Sequence, residues 1–301
     1  MPRRVLAALL AASVGWGLAG VGTRAAFGAG ATTLTVAVAR TLVAATAIVG
    51  YALVVRVPID RTAWRHGSMI GVLRVGFAPL FFIASLQYIS AGVEGLIITL
   101  IPATTSALAA LTLGETLRGR QIAGLAIGLA GTTLIIVSGD TGLASGEGNA
   151  LLGGILALGG VVAGSTSGVL ARKYAPQHRT ETLAVPMFIS GAALVALIGW
   201  GTNGVETADL GPEVWLLLIA LGLGSTLLPF GATLYASRHT TAAMVALTGY
   251  VAPLVGVIAG VLILDEVLTV PILIGGALTM VGVGFVGLRR RRPAPRPEST
   301  A

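Results

Sequence analysis

The sequence has no cysteine. Disulfides and thiolate metal sites are therefore excluded, and the redox compartment is left open. Charge is scarce as well. Asp, Glu, Lys and Arg make up 10% of the 301 residues, against about 25% in a soluble domain. Too few charges remain to cover the surface of a soluble globule. There are three histidines, His66, His178 and His239, and the 12 acids are scattered mostly between apolar runs. No HExxH, Walker loop or Ser-His-Asp spacing occurs. Nothing supplies the clustered acids or metal ligands of a membrane enzyme, so neither catalysis nor a cofactor is expected.

What is present is apolar. Hydrophobic residues make up 55% of the chain, glycines number 43, and the mean hydropathy is +0.91. A bilayer-spanning helix takes roughly 20 apolar residues. Ten segments qualify: Val5–Phe27, Thr33–Val55, Gly67–Gln87, Ala91–Thr112, Gln121–Ser138, Ala150–Arg172, Thr182–Gly201, Glu213–Ala236, Ala242–Ile263 and Val270–Leu288. The first is longer than the ~7–15 residue core of a signal peptide and is followed by further spans, so it reads as a membrane helix.

The charges test this map independently, because Lys and Arg collect in cytoplasmic loops. With the N-terminus inside, the inner segments hold sixteen of the 19 basic residues, among them Arg3, Arg56, Arg118, Lys173, Arg238 and the run Arg289–Arg292. The outer loops hold no basic residue but carry Asp140, Glu147, Glu206 and Asp209. The net charge of +7 is thus a topology signal rather than a nucleic-acid surface. The chain is expected to be a multi-pass protein of the plasma (bacterial inner) membrane with both termini cytoplasmic.

The sequence also repeats itself. Residues 102–131, PATTSALAALTLGETLRGRQIAGLAIGLAG, lie over residues 253–282 without a gap at an offset of 151. Pro102 meets Pro253, Glu115 meets Glu266, and Gly124 and Gly131 meet Gly275 and Gly282. Repetition is the first feature to seek in any chain. Five spans per copy is an odd number, so the second copy enters the membrane from the opposite side. Inverted repeats of this kind build transporters whose substrate site lies near the midplane. The expected organisation is a first five-helix repeat over 5–138, an external linker over 139–149, a second repeat over 150–288 and a basic cytoplasmic tail over 289–301.

These residues carry a resemblance. The chain resembles the EamA-type transporters of the drug/metabolite transporter (DMT) superfamily over about residues 5–288. The family's repeat signature, a Pro in the fourth helix, a Gly-Glu at its end and glycines along the fifth, matches Pro102, Gly114-Glu115, Gly124 and Gly131. The second copy gives Pro253, Asp265-Glu266, Gly275 and Gly282, with Asp265 departing from the Gly. Trp16-Gly17, Arg24 and Arg40 match further family positions. The resemblance implies an all-α integral membrane fold of ten helices in two inverted five-helix repeats. It also implies a non-ATP exporter of amino acids or related metabolites working by alternating access. A multidrug exporter of the same fold and a non-transporting membrane scaffold are the alternatives. The implied partners are the bilayer, a small-molecule substrate and a coupling ion, with protons one option.

Individual residues sort by chemistry. Pro102 and Pro253 each leave a carbonyl one turn earlier without its helical partner. In lipid such a group needs another partner or a cavity, so flexible points along the path and simple packing kinks both remain open. Gly124, Gly128 and Gly131 share one helix face and read as a close-approach surface. Glu115 and Glu266 lie just before a helix and read as caps. Charges inside spans are costly and mark the bundle interior. Arg40 and Glu94 share the outer leaflet, and a salt bridge between them is expected. Arg74 lies about 10 Å from the inner end of its span, with no acid at that depth, and Gly224 is its twin when Pro79 is aligned with Pro229. Trp16, Arg40, Arg74, Glu94 and Tyr250 are the candidate substrate-binding residues. Tyr88 and Tyr235 read as interfacial anchors.

The charge pattern predicts that a reporter fused after Arg120 or Lys173 reads cytoplasmic and one after Gly146 or Asn203 external. A cytoplasmic reading at Gly146 overturns the inverted repeat.

Overall fold

A computed structural model describes residues 2–241, 244–245 and 247–287. Every regular element among them is helical. Ten helices run α1 (Arg3–Gly28), α2 (Thr33–Val55), α3 (Arg61–Ser85), α4 (Ala91–Leu113), α5 (Gly119–Val137), α6 (Ala150–Tyr174), α7 (Thr180–Gly201), α8 (Pro212–His239), α9 (Thr248–Leu264) and α10 (Val270–Gly287). The first eight are long and apolar enough to cross a membrane, and α9 and α10 are shorter apolar helices. The expected ninth span includes Ala242, Ala243 and Ala246, the expected tenth ends at Leu288, and the expected tail is 289–301. All of these lie outside the described residues.

Most boundaries fall within three residues of the expected spans. The exceptions are the starts of α9, at Thr248 against the expected Ala242, and of α3, which begins six residues before Gly67. Asp60 explains the extension. Its Oδ1 accepts from the Ala63 amide at 2.8 Å, so the polar run from Arg61 to His66 forms a capped first turn and a half. That bond, with the Thr62 hydroxyl second, holds the Asp60 carboxyl below its usual range.

Three helices are interrupted. Helices α3 and α8 each contain a π-helical turn, Val72–Phe77 and Leu221–Leu227, each followed within two residues by a proline, Pro79 and Pro229. Helix α4 consists of Ala91–Ile98 and Ile101–Leu113. Pro102 has no N–H to offer the Ile98 carbonyl, and Thr99 and Leu100 turn the chain between the pieces with their amides on Leu96 and Ile97.

The helices of the two repeats interleave. Helix α1 packs on α8 and α9, and its counterpart α6 packs on α3 and α4. The pair α2–α8 corresponds to α7–α3, while α2–α7, α4–α9 and α5–α10 each map onto themselves. That exchange is what a two-fold relation between inverted repeats requires. The start of α1 and the end of α10 define a terminal end of the bundle. The chain between α5 and α6 defines the linker end.

The linker is fastened down. Its Thr141 and Leu143 are buried. The Ser90 amide donates to the Thr141 carbonyl at 2.8 Å, and the Val267 amide to the Gly142 carbonyl at 3.0 Å. Gly142 has φ +72°, and a side chain there would meet Ser90 Oγ at 2.5 Å. Gly-rich composition here serves close packing rather than looseness.

The most extensive helix contact joins α5 to α10. A Cβ on Gly131 would come within 2.8 Å of the Thr279 amide nitrogen, and one on Gly282 within 2.8 Å of Gly128 Cα. Gly275 in turn faces Gly131 and Ile135. Small residues let membrane helices approach until backbones touch. Gly131→Leu is therefore expected to cost about 1–3 kcal/mol through overpacking, measured by denaturant titration in detergent. Gly284→Ala, where a Cβ meets nothing within 4 Å, is the control and should leave the midpoint unlowered.

Candidate functional site

The charges within the spans divide into three groups. At the linker end, Arg24 of α1 reaches the turn between α3 and α4. Its Nη1 donates to the Leu86 carbonyl at 2.8 Å and the Ile89 carbonyl at 3.3 Å. Glu266, between α9 and α10, takes the other side of that turn. Its Oε1 accepts from the Ala91 amide at 2.7 Å and its Oε2 from the Gly92 amide at 3.0 Å. The guanidinium thus satisfies carbonyls leaving α3, and the carboxylate satisfies amides entering α4. Arg24 Nε and Glu266 Oε1 are 3.7 Å apart, with the Glu266 side chain 3% exposed. Glu266 therefore caps α4, a helix of the other repeat, rather than the adjacent α10.

Glu115, its twin, sits elsewhere. It pairs with Arg172 at 3.0 Å, and its side chain is 47% exposed. Sliding α1 over α6 by 148 residues places Arg24 on Arg172, Val21 on Val169 and Gly20 on Gly168. The two acid–base pairs are thus counterparts at opposite ends of the bundle.

The second group lies deeper. Arg40 of α2 does not make an ion pair with Glu94. Its Nε donates to Thr226 Oγ1 at 2.6 Å and its Nη2 to the Ser225 carbonyl at 3.2 Å, both in the π turn of α8. The residue four on from Ser225 is Pro229, which has no N–H to offer, and the guanidinium takes that carbonyl instead. Arg40 and Glu94 act on one another through space instead of by contact. Glu94 is 7% exposed, and no described residue donates a hydrogen bond to its carboxyl group. A Cβ on Gly20 would lie 3.5 Å from Glu94 Oε2. Trp16, one turn earlier on α1, shares that face and is partly exposed. Tyr250 is used structurally: its hydroxyl donates to the Val283 carbonyl of α10 at 3.0 Å.

Arg74 stands apart. It lies in the π turn of α3, thirteen residues from the start of that helix. Its side chain is exposed. Arg74 makes no ion pair or hydrogen bond with any described residue. Its neighbours Val75 and Gly76 pack on α7 at Gly191 and Leu194. Its twin Gly224 lies in the corresponding π turn of α8.

The prolines differ too. Pro102 is exposed beside the break in α4, whereas Pro253 is buried inside unbroken α9, against Gly95 of α4. The histidines stay away from the interior charges. His66 and His178 share a 2.9 Å hydrogen bond, and His66 stacks on Tyr174 with centroids 4.0 Å apart, all at the terminal end. Among the described residues no three His, Asp or Glu side chains gather as metal ligands.

Sequence reasoning missed both π turns and therefore Thr226 and Ser225 as the partners of Arg40. It also missed the reach of Glu266 across to α4. The 150-residue spacing of Pro79 and Pro229 was the available signal for paired irregularities in α3 and α8.

The EamA-like transporter family matches residues 3–137 and, a second time, 151–288. Among similar proteins, a "Probable terminal-alkyne amino-acid exporter" of Streptantibioticus cattleyicolor is 28% identical, covering 70% of this chain and 69% of its own length. A "Probable amino-acid metabolite efflux pump" of Escherichia coli is 27% identical, covering 73% and 76%. One solved crystal structure aligns with 96% of this chain and 99% of its own at a TM-score of 0.63 and 23% identity, a likeness of fold alone.

The geometry predicts a coupling between Arg40 and Thr226. In a double-mutant cycle of Arg40→Ala and Thr226→Val on stability, the interaction is expected to exceed about 0.5 kcal/mol. The same cycle with Arg40→Ala and Glu94→Gln should give less. A larger value for the second cycle would show that the direct ion pair forms after all.

Proposed function

The chain belongs to the EamA-like transporter family, and from that premise we propose that it exports amino acids or closely related carboxylated metabolites by alternating access, without ATP. The two similar proteins named for amino-acid export support this substrate class. The observation that carries it is Arg74. A cation inside a span is retained only where something anionic or aqueous meets it. No described residue pairs with it, and its side chain is exposed in the π turn of α3. A guanidinium holds a carboxylate by two parallel hydrogen bonds, and a carboxylate is what every amino acid presents.

The other interior groups take supporting roles. Arg40, held by Thr226 and Ser225, gives the path a fixed positive wall. Glu94 faces it, and with no hydrogen-bond donor it is the interior group best suited to carry a coupling proton. Trp16 supplies an apolar face on α1. The linker end is external, both termini are cytoplasmic, and the bilayer is the plasma membrane, in keeping with the distribution of basic residues. The repeats span 5–138 and 150–288, with 139–149 joining them outside.

Transport in inverted vesicles tests the substrate class. Arg74→Lys keeps the charge and loses the planar fork, so the KM for a carboxylated amino acid should rise about tenfold, in line with loss of one charge-assisted hydrogen bond. Arg74→Ala should raise it further while sparing an analogue in which the carboxylate is replaced by a neutral amide. Wild-type export of the carboxylated substrate by Arg74→Ala, at equal protein in the membrane, would remove Arg74 from the path and the substrate class with it.

A further inference from the structure

We propose that Arg24 and Glu266 form the gate at the linker end of the transport path, and that the structure shows this gate shut. Three observations converge on it. First, Glu266 binds where α1, α4 and α9 meet. It accepts two amides of α4 and faces Arg24 of α1 at 3.7 Å. It also lies against Gly260 of α9, where any added Cβ would run into its carboxylate. One side chain thus holds three helices, two from the first repeat and one from the second.

Second, the compartment below it is the one that carries the interior charges. Glu94 follows Ala91 by one turn of α4, and Gly20 of α1 lies against both: a Cβ there would be 3.0 Å from Ala91 Cβ and 3.5 Å from Glu94 Oε2. Glu94 and Ala91 thus lie together at the contact between α1 and α4. The fastened linker adds a second layer, since Ser90 and Val267, on either side of the gate, both donate to it.

Third, the counterpart at the other end is not clasped. Arg172 and Glu115 pair, but Glu115 is half exposed and accepts no main-chain amide from a described residue. The same two residue types therefore occupy different states at the two ends. One is buried and joins three helices, and the other is a surface pair. A transporter that alternates must close one face when the other opens. A half-buried Arg–Glu contact suits that role because the loss of either partner leaves the other charge stranded. Opening the linker face requires Glu266 to leave the amides of Ala91 and Gly92 and Arg24 to leave the carbonyls of Leu86 and Ile89.

This inference rests on the chain being a transporter, and it is independent of the substrate and of Arg74. The absence of native cysteine allows a direct test. A Gly146→Cys protein, labelled with a membrane-impermeant maleimide in intact cells and in inverted vesicles, identifies which face is the linker face. The reporter is Gly224→Cys, where a side chain meets nothing within 4 Å. Labelling from the linker face should be slow. Adding Glu266→Gln or Arg24→Gln should speed it at least about tenfold, as a shift toward the open state demands. Unchanged labelling in both gate variants, with wild-type protein levels and Gly146→Cys labelling, overturns the gate. Gly20→Cys with Ala91→Cys provides the second arm. Their Cβ atoms lie within reach of a disulfide after a small shift. Oxidation should stop transport and reduction restore it, and a cross-linked protein that still transports overturns the gate. The maleimide arm uses no substrate, so it succeeds or fails separately from the amino-acid reading.

Discussion

A main-chain amide or carbonyl without a partner costs several kcal/mol in hydrocarbon, and the fold is arranged around the places where this chain breaks that rule. The turn between α3 and α4 leaves carbonyls at Leu86 and Ile89 and amides at Ala91 and Gly92. Arg24 takes the first pair and Glu266 the second, with Ser90 Oγ accepting from Val93. Pro229 leaves the Ser225 carbonyl without its helical donor, and Arg40 takes it. In each case a charge inside the membrane meets an irregularity of the backbone. The scarce charges are thus concentrated where helices cannot satisfy themselves. Arg74 is the exception: it too sits in a π turn, but no described residue answers it.

The two repeats share an architecture and differ in chemistry. Both third helices of the repeats, α3 and α8, carry a π turn ahead of a proline, but one presents Arg74 and the other Gly224. Both fourth helices carry a proline, yet only α4 breaks beside it. Duplication preserved what the packing needs, namely glycines where α5 meets α10 and prolines after the irregular turns. It did not keep Arg74 and Gly224 alike.

The ten-helix pattern was legible because bilayer thickness dictates a length and loop charge dictates a side, and both leave marks on single residues. The repeat was legible through Pro102, Glu115 and Gly124 recurring at Pro253, Glu266 and Gly275. The start of α3 was not, because Arg61 to His66 is polar and only the Asp60 cap makes it helical. The pairing of Arg40 was misread because depth alone placed Glu94 opposite it. The competing partner was the Ser225 carbonyl, freed by Pro229, and main-chain carbonyls have no residue type to betray them. Glu266 was read as a cap from its position before α10. Its true target lies 175 residues away, and only the crossing of the repeats brings the two together.

That crossing has a consequence for how the protein is made. The broadest contacts of α1 are with α8 and α9, those of α5 with α10, and those of α2 with α7, so nearly every helix of the first repeat finds its main neighbour in the second. During synthesis the first five helices enter the bilayer before any of those neighbours exists. Their glycine faces and interior charges must wait among lipids, or beside a helper, until the ribosome has finished almost the whole chain. Insertion and folding are therefore separate events for this molecule. A chain stopped after the first repeat would be inserted in the membrane without its main packing partners, leaving surfaces that another nascent copy could fill.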